Sequence, residues 1–205
     1  MLEWKQKYAF NGLLLYIVST VFVCYLSFKN IVDIPTWNAL FWIIQLFAGI
    51  NAIAKSFLQD PPGRLLYYYS ICSSRSVILS KIIYNFMLMS VLSFFTMFFY
   101  FLFIGNPVQD IGLFFLAILL GSGGLASVLS MVSAIASKAG NSPTLMSVLS
   151  FPVIIPLLIT TIRFSKNAID GLAWSVSQEY ILILIALNTM IIALAFLLFP
   201  YLWRD

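Results

Sequence analysis

The feature that most limits what this chain can become is a set of long apolar stretches from which every charge is missing. Six of them run approximately over residues 12–28, 36–54, 82–104, 111–136, 143–162 and 181–200, and all eleven Lys and Arg and all seven Asp and Glu fall in the gaps or tails. A helix that crosses a hydrocarbon core about 30 Å thick needs about 20 such residues, with roughly 17 to 25 tolerated. One Lys, Arg or Asp at the centre would cost about 2.5 to 3.5 kcal/mol on insertion scales. Barrel strands would instead alternate polar and apolar over about ten residues. Composition agrees: the chain is 62% hydrophobic and 9% charged, with a mean hydropathy of +1.02. Soluble domains run nearer about half apolar and about a quarter charged. The expected fold class is an all-α membrane protein, a six-helix bundle forming one six-span domain over residues 1–205. The first stretch follows Lys5 and Lys7 as a secretory signal would, but it is long and lacks a small-x-small cleavage site before Lys29, so it reads as a retained helix.

The few charges also orient the bundle. With the N-terminus in the cytoplasm, Lys5, Lys7, Lys55, Arg64, Arg75, Lys81, Lys138 and Arg204 lie inside, and only Lys29, Arg163 and Lys166 lie outside. That is the positive-inside pattern, and it predicts cytoplasmic termini. Asp33, Asp110, Asp170 and Glu179 fall on the opposite side, which agrees, although acids weigh little in the rule.

The same inventory removes whole classes of function. The chain has no histidine, and hence no imidazole to act as base, metal ligand or haem ligand. No ionisable residue lies inside a stretch to carry protons, so a proton-coupled pump is not expected. There is no G-x-x-x-x-G-K-[ST] phosphate loop, so ATP-driven work would need a separate ATPase subunit. No nucleophile elbow, metal cluster or carboxylate pair is present either, and neither catalytic nor metal-binding residues are expected. A basic membrane chain reflects its cytoplasmic loops rather than nucleic-acid binding. Cys24 and Cys72 should lie most of a membrane apart and form no disulfide.

The longest cytoplasmic loop, Lys55 to Lys81, is the most informative. Asp60-Pro61-Pro62-Gly63 is a strong turn signal. The apolar and aromatic run from Arg64 to Ile71 then suits a short helix on the membrane surface or against a partner, with Ser73 and Ser74 as caps for the third span. Tyr67, Tyr68 and Tyr69 point in three directions around a helix and cannot all face lipid, which favours docking.

Three intramembrane patterns stand out. In the fourth span Ala117, Gly121, Gly124, Ser127, Ser130 and Ala134 recur every three or four residues, the spacing that lets helices pack closely. In the fifth, Pro152 and Pro156 each remove a helical hydrogen bond, so a kink or break is expected, buried against neighbours or lining a cavity. Among polar residues, Gln45, Asn51, Asn85 and Asn188 are expected to tie neighbouring helices together.

The run Val77-Ile78-Leu79-Ser80-Lys81-Ile82 and the segment Leu145 to Ile159, with Phe151-Pro152-Val153-Ile154-Ile155-Pro156-Leu157-Leu158 at its heart, resemble the CcmB family. That family is the haem exporter permease of cytochrome c maturation. Length, span count, loop placement and the proline motif match over nearly the whole chain. The resemblance implies an ABC-2-type permease-like bundle with a cytoplasmic coupling loop between helices 2 and 3. It also implies a bacterial inner-membrane location and four partners: a CcmA-like ATPase, a CcmC-like haem-handling protein, a CcmD-like small helper and a CcmE-like haem chaperone. ATP and haem would be bound through those partners, with no cofactor held by this chain. On that likeness Phe57, Gln59, Asp60, Gly63, Arg64, Leu65, Leu66, Tyr67, Tyr68 and Tyr69 form the ATPase-coupling segment, and Pro152 and Pro156 are the family's fifth-span prolines. The chain departs from the family pattern at Ala52-Ile53-Ala54-Lys55 and at Cys72-Ser73-Ser74, where members commonly carry charge pairs and a proline. Permeases of this kind work in pairs, which implies a homodimer or a mixed pair. Two other readings stay open: an ABC-2 type exporter of lipid or polysaccharide, and a non-transporting membrane scaffold.

Overall fold

The computed structural model describes residues 2–28, 33–53, 73–138 and 143–204. They form α1 (Leu2–Phe28), α2 (Ile34–Ile53), α3 (Ser74–Phe103), α4 (Ile111–Lys138), α5 (Pro143–Ile169) and α6 (Trp174–Arg204), with no strand among the described residues. All six helices are long and apolar enough to cross a membrane. Each apolar stretch read from the sequence falls within one helix to within a residue at its end.

The helices outrun those stretches. α3 starts at Ser74 rather than residue 82, α5 runs to Ile169 rather than 162, and α6 starts at Trp174 rather than 181. A hydropathy count stops at the first charge, whereas a helix stops where its end groups find other partners. Ser73 is the N-cap of α3, its hydroxyl oxygen accepting from the backbone N–H of Ser76 at 3.3 Å. α5 carries Arg163 and Lys166 before it ends, with Lys166 4.0 Å from Asp170. It closes at Gly171 (φ +66°), and the Leu172 N–H returns to the Asn167 carbonyl at 2.9 Å, a Schellman stop that only glycine adopts without strain. α2 opens with Asp33, whose carbonyl accepts from Trp37 N–H at 2.9 Å. The Thr36 hydroxyl, and secondarily its backbone N–H, holds the Asp33 carboxyl below the usual carboxylate range.

One end of the bundle is interlocked by backbone and aromatic contacts. The α3–α4 connection caps α5: the N–H groups of Gln109 and Asp110 donate to Ile169 O at 3.4 Å and Ala168 O at 3.0 Å. A side chain at Gly171 would collide with Gln109, so this glycine serves both the turn and the close approach. Trp37 donates through Nε1 to Gly105 O at 3.2 Å, and Tyr100 donates its hydroxyl to Trp37 O at 2.9 Å. The rings of Trp37, Phe41, Tyr100 and Phe114 pack at centroid distances of 4.8 to 6.2 Å. Each such pair contributes about 0.5–1.5 kcal/mol beyond its buried area.

α4 is the hub. Buried residues make up 61% of its spanning window, against 11% for α1, and it packs on α2, α3, α5 and α6, whereas α1 leans on α2 and α3 from the edge. The small residues of α4 make this possible, because a hub helix with bulky faces would hold four neighbours at a distance.

Candidate functional site

Among the described residues, the inward faces carry hydrogen bonds and shape rather than reactive groups. The strongest polar tie joins α2 to α5. Asn38 donates to Ile162 O at 2.8 Å, Ser165 donates to Asn38 Oδ1 at 2.8 Å, and Trp42 donates from Nε1 to Ser165 Oγ at 2.9 Å. All three side chains are essentially sealed from outside. Asn38 was not among the polar residues expected to join helices. The signal lay in its spacing, since Asn38 and Trp42 are one turn apart on one face of α2.

Of the four expected ties, two form and two do not. Asn85 donates to Ser130 Oγ at 2.8 Å, linking α3 to α4, and Asn188 donates to Leu120 O at 3.2 Å and to Leu184 O at 2.8 Å, linking α6 to α4. Asn51 instead lies exposed on α2. Gln45 is buried, yet among the described residues neither its Nε2 nor its Oε1 has a hydrogen-bond partner. Sequence shows that an amide sits at membrane depth; whether a partner faces it depends on the register of the neighbouring helix.

The small residues of α4 divide by direction. A Cβ on Gly121 would fall 2.5 Å from the Trp42 ring and 2.7 Å from Thr161 Cγ2. One on Gly124 would collide with the Leu157 side chain. These two glycines therefore seat α4 against α2 and α5 within this chain. Gly123 faces elsewhere: its Cβ would meet Phe86 at 3.4 Å and Asn188 Oδ1 at 3.5 Å, ordinary contact distances. With Ser127 one turn on, it floors an open groove of about 270 Å³ between α3, α4 and α6, walled by Phe86, Leu119, Asn188 and Ile192. Ser127 donates its hydroxyl to Gly123 O at 2.8 Å.

Of the kink or break expected at the prolines, the break does not occur. α5 is continuous through Pro152 and Pro156. Nor are the two buried or lining a cavity: they lie exposed on one outward face, beside Phe151, Ile155 and Ile159. Being four residues apart, they share a face, and that face is turned away from α4. The segment Phe57, Gln59, Asp60, Gly63, Arg64, Leu65, Leu66, Tyr67, Tyr68 and Tyr69 lies outside the described residues, as does Cys72. Cys24 is a half-buried free thiol on α1.

A bundle of six helices long and apolar enough to cross a membrane, organised by small residues and uncharged hydrogen bonds, defines a multi-pass membrane protein. The CcmB protein family matches residues 8–201, and the chain belongs to that family. It is thus a multi-pass inner-membrane protein and the permease component of the Ccm haem-export ABC system. Comparison with curated proteins and with solved structures finds no match.

Proposed function

We propose that this chain is the force-transmitting subunit of that system, converting ATP hydrolysis in a separate CcmA-like ATPase into release of the haem-loaded CcmE-like chaperone on the outer face of the membrane. The observation that carries the reading is the length and anchoring of α3. It begins at the Ser73 cap, separated by three residues from the 57–69 segment in sequence, and runs unbroken for 30 residues to Phe103. Near its start Arg75 lies 4.9 Å over the Phe196 ring, and Val77, Ile78 and Ile82 pack with Ala134 of α4 and Phe199 of α6. Near its far end Tyr100 is tied to Trp37. A push on the segment before Ser73 is delivered to a rod already seated on the hub helix. The positive-inside bias supports cytoplasmic termini and a cytoplasmic position for this segment, where the ATPase would meet it. Haem, the cargo, is liganded by partners in this reading: a CcmC-like protein handles it and a CcmD-like helper accompanies the assembly. A chain without histidine lacks the commonest axial ligand.

The test is to make Arg64→Glu and Tyr68→Ala and measure membrane insertion, ATPase co-purification and c-type cytochrome yield. Insertion should persist while co-purification or yield falls. Normal values for both in both variants would overturn the coupling role.

A further inference from the structure

Three glycines stand within four residues on α4, and two are explained by contacts inside the chain: Gly121 and Gly124 have no room for a Cβ. Gly123 does have room, and leaving it bare keeps the floor of the α3–α4–α6 groove open. With Ser127, buried one turn on at the base of the groove, it makes a small-xxx-small pair on the side of α4 that the groove opens, the pattern that admits a second helix at close range.

Asn188 gives this groove a chemical preference. Both neighbours of its Nδ2 are carbonyl oxygens, Leu120 O and Leu184 O, so the amide orientation is fixed by chemistry and Oδ1 must point the other way. Asn188 is partly exposed, its Oδ1 lies on the groove side beside Gly123, and that oxygen accepts no hydrogen bond from the described residues. Ser127 has already committed its proton to Gly123 O. The groove therefore offers acceptors at membrane depth with no donor opposite among the described residues. A lipid acyl chain has no donor and would leave them unmatched.

We infer that the groove receives a membrane-spanning helix of a different subunit, one carrying a hydroxyl, amide or indole donor opposite Asn188. A second copy fits less well. It would have to bring its donor from the α3 and α6 faces flanking the groove, where Ser90 and Thr189 already donate to Phe86 O and Ile185 O at 2.8 Å each. The exposed Tyr84 lies beside Asn85, which pairs with Ser130, while Asn188 pairs with Leu120, ten α4 residues away. At 1.5 Å per residue that is roughly 15 Å along the helix, and a twofold axis normal to the membrane preserves depth. The phenol cannot reach across it.

The inference rests on the proposed assembly for the choice of probe, a co-expressed CcmC-like subunit. Gly123→Ile fills the groove from a position whose Cβ meets ordinary contacts. The chain should insert and melt as before, while recovery of the CcmC-like subunit in detergent pull-down falls at least tenfold and ATPase recovery is kept. A photo-crosslinker at Leu119 should label that subunit. Unchanged recovery with Gly123→Ile, or crosslinks confined to lipid or to a second copy, would overturn the groove assignment and leave the coupling role standing. Loss of the ATPase alone would also overturn it.

Discussion

The two faces of α4 use the same residue type for opposite ends. Towards α2 and α5, Gly121 and Gly124 are bare because an indole, a threonine methyl and a leucine already occupy the space. Towards α3 and α6, Gly123 is bare although no described residue requires it. In lipid, where burying apolar surface gives helices no advantage over staying apart, close packing and hydrogen bonds must do the joining. The comparison teaches that a small residue in a spanning helix is informative only once its direction is known. The first face is finished inside the chain; the second is left incomplete.

The most severe way to break the finished face is Gly121→Val. The added carbons meet the rigid Trp42 ring and Thr161, and overpacking of a tight core costs roughly 1–3 kcal/mol, occasionally more. Here the displacement also pulls Trp42 from Ser165. Gly124→Ala should be milder, because Leu157 can change rotamer where an indole cannot. Thermal unfolding in detergent should rank Gly121→Val as worst and Gly123→Val as near wild type. Equal losses at Gly121 and Gly123 would erase the distinction between the faces.

A smaller effect sharpens the same point. Trp42→Phe removes the bond to Ser165 Oγ and shrinks the ring that blocks Gly121, and should cost about 1–2 kcal/mol. Combined with Gly121→Ala it should cost less than the two single changes added together, because the phenyl vacates the space the new methyl needs. A double-mutant cycle in melting temperature checks this, and strict additivity would show that the two residues do not compete for space.

How much of this was legible in the sequence follows from what lipid demands. Spans are legible because one buried charge is expensive, so six helices could be counted before any packing was known. The Ser73 cap was legible because capping is a local matter of a hydroxyl and the next turn. The α4 stripe was also visible, but not that Gly121 and Gly124 serve the chain's own contacts while Gly123 opens outward. Rotation of one helix against its neighbours is a tertiary property. Asn38 and Gln45 show the same limit: both are amides on α2, yet Ser165 and the Ile162 carbonyl face the first and no partner among the described residues faces the second. The proline pair was read as two lost hydrogen bonds that kink or break the helix; of these the break is excluded. Two absent N–H groups four residues apart leave enough of the helical ladder for α5 to continue.

The smallest expected effect has the opposite sign and concerns that second amide. Phe41 and Gly49, one turn to either side of Gln45, pack on α3 and α4, Phe41 against Tyr100 and Phe114 and Gly49 against Met89 and Leu129. Gln45 therefore sits in the same seam, 1% exposed and without a partner for either amide atom among the described residues. A buried unpaired polar group costs about 1–3 kcal/mol in water-soluble folds, and less where the unfolded chain in the membrane also lacks water. Gln45→Leu keeps the bulk, removes both orphaned atoms and should raise stability by about 0.5–1.5 kcal/mol, read as a higher melting temperature in detergent. A lower melting temperature would mean the amide is paired in the folded chain after all. If stability rises while c-type cytochrome yield falls, the amide is paired in a second arrangement of the α2–α3–α4 seam that the working cycle visits. A moving α3 would then be expected to bring its donors and acceptors past Gln45.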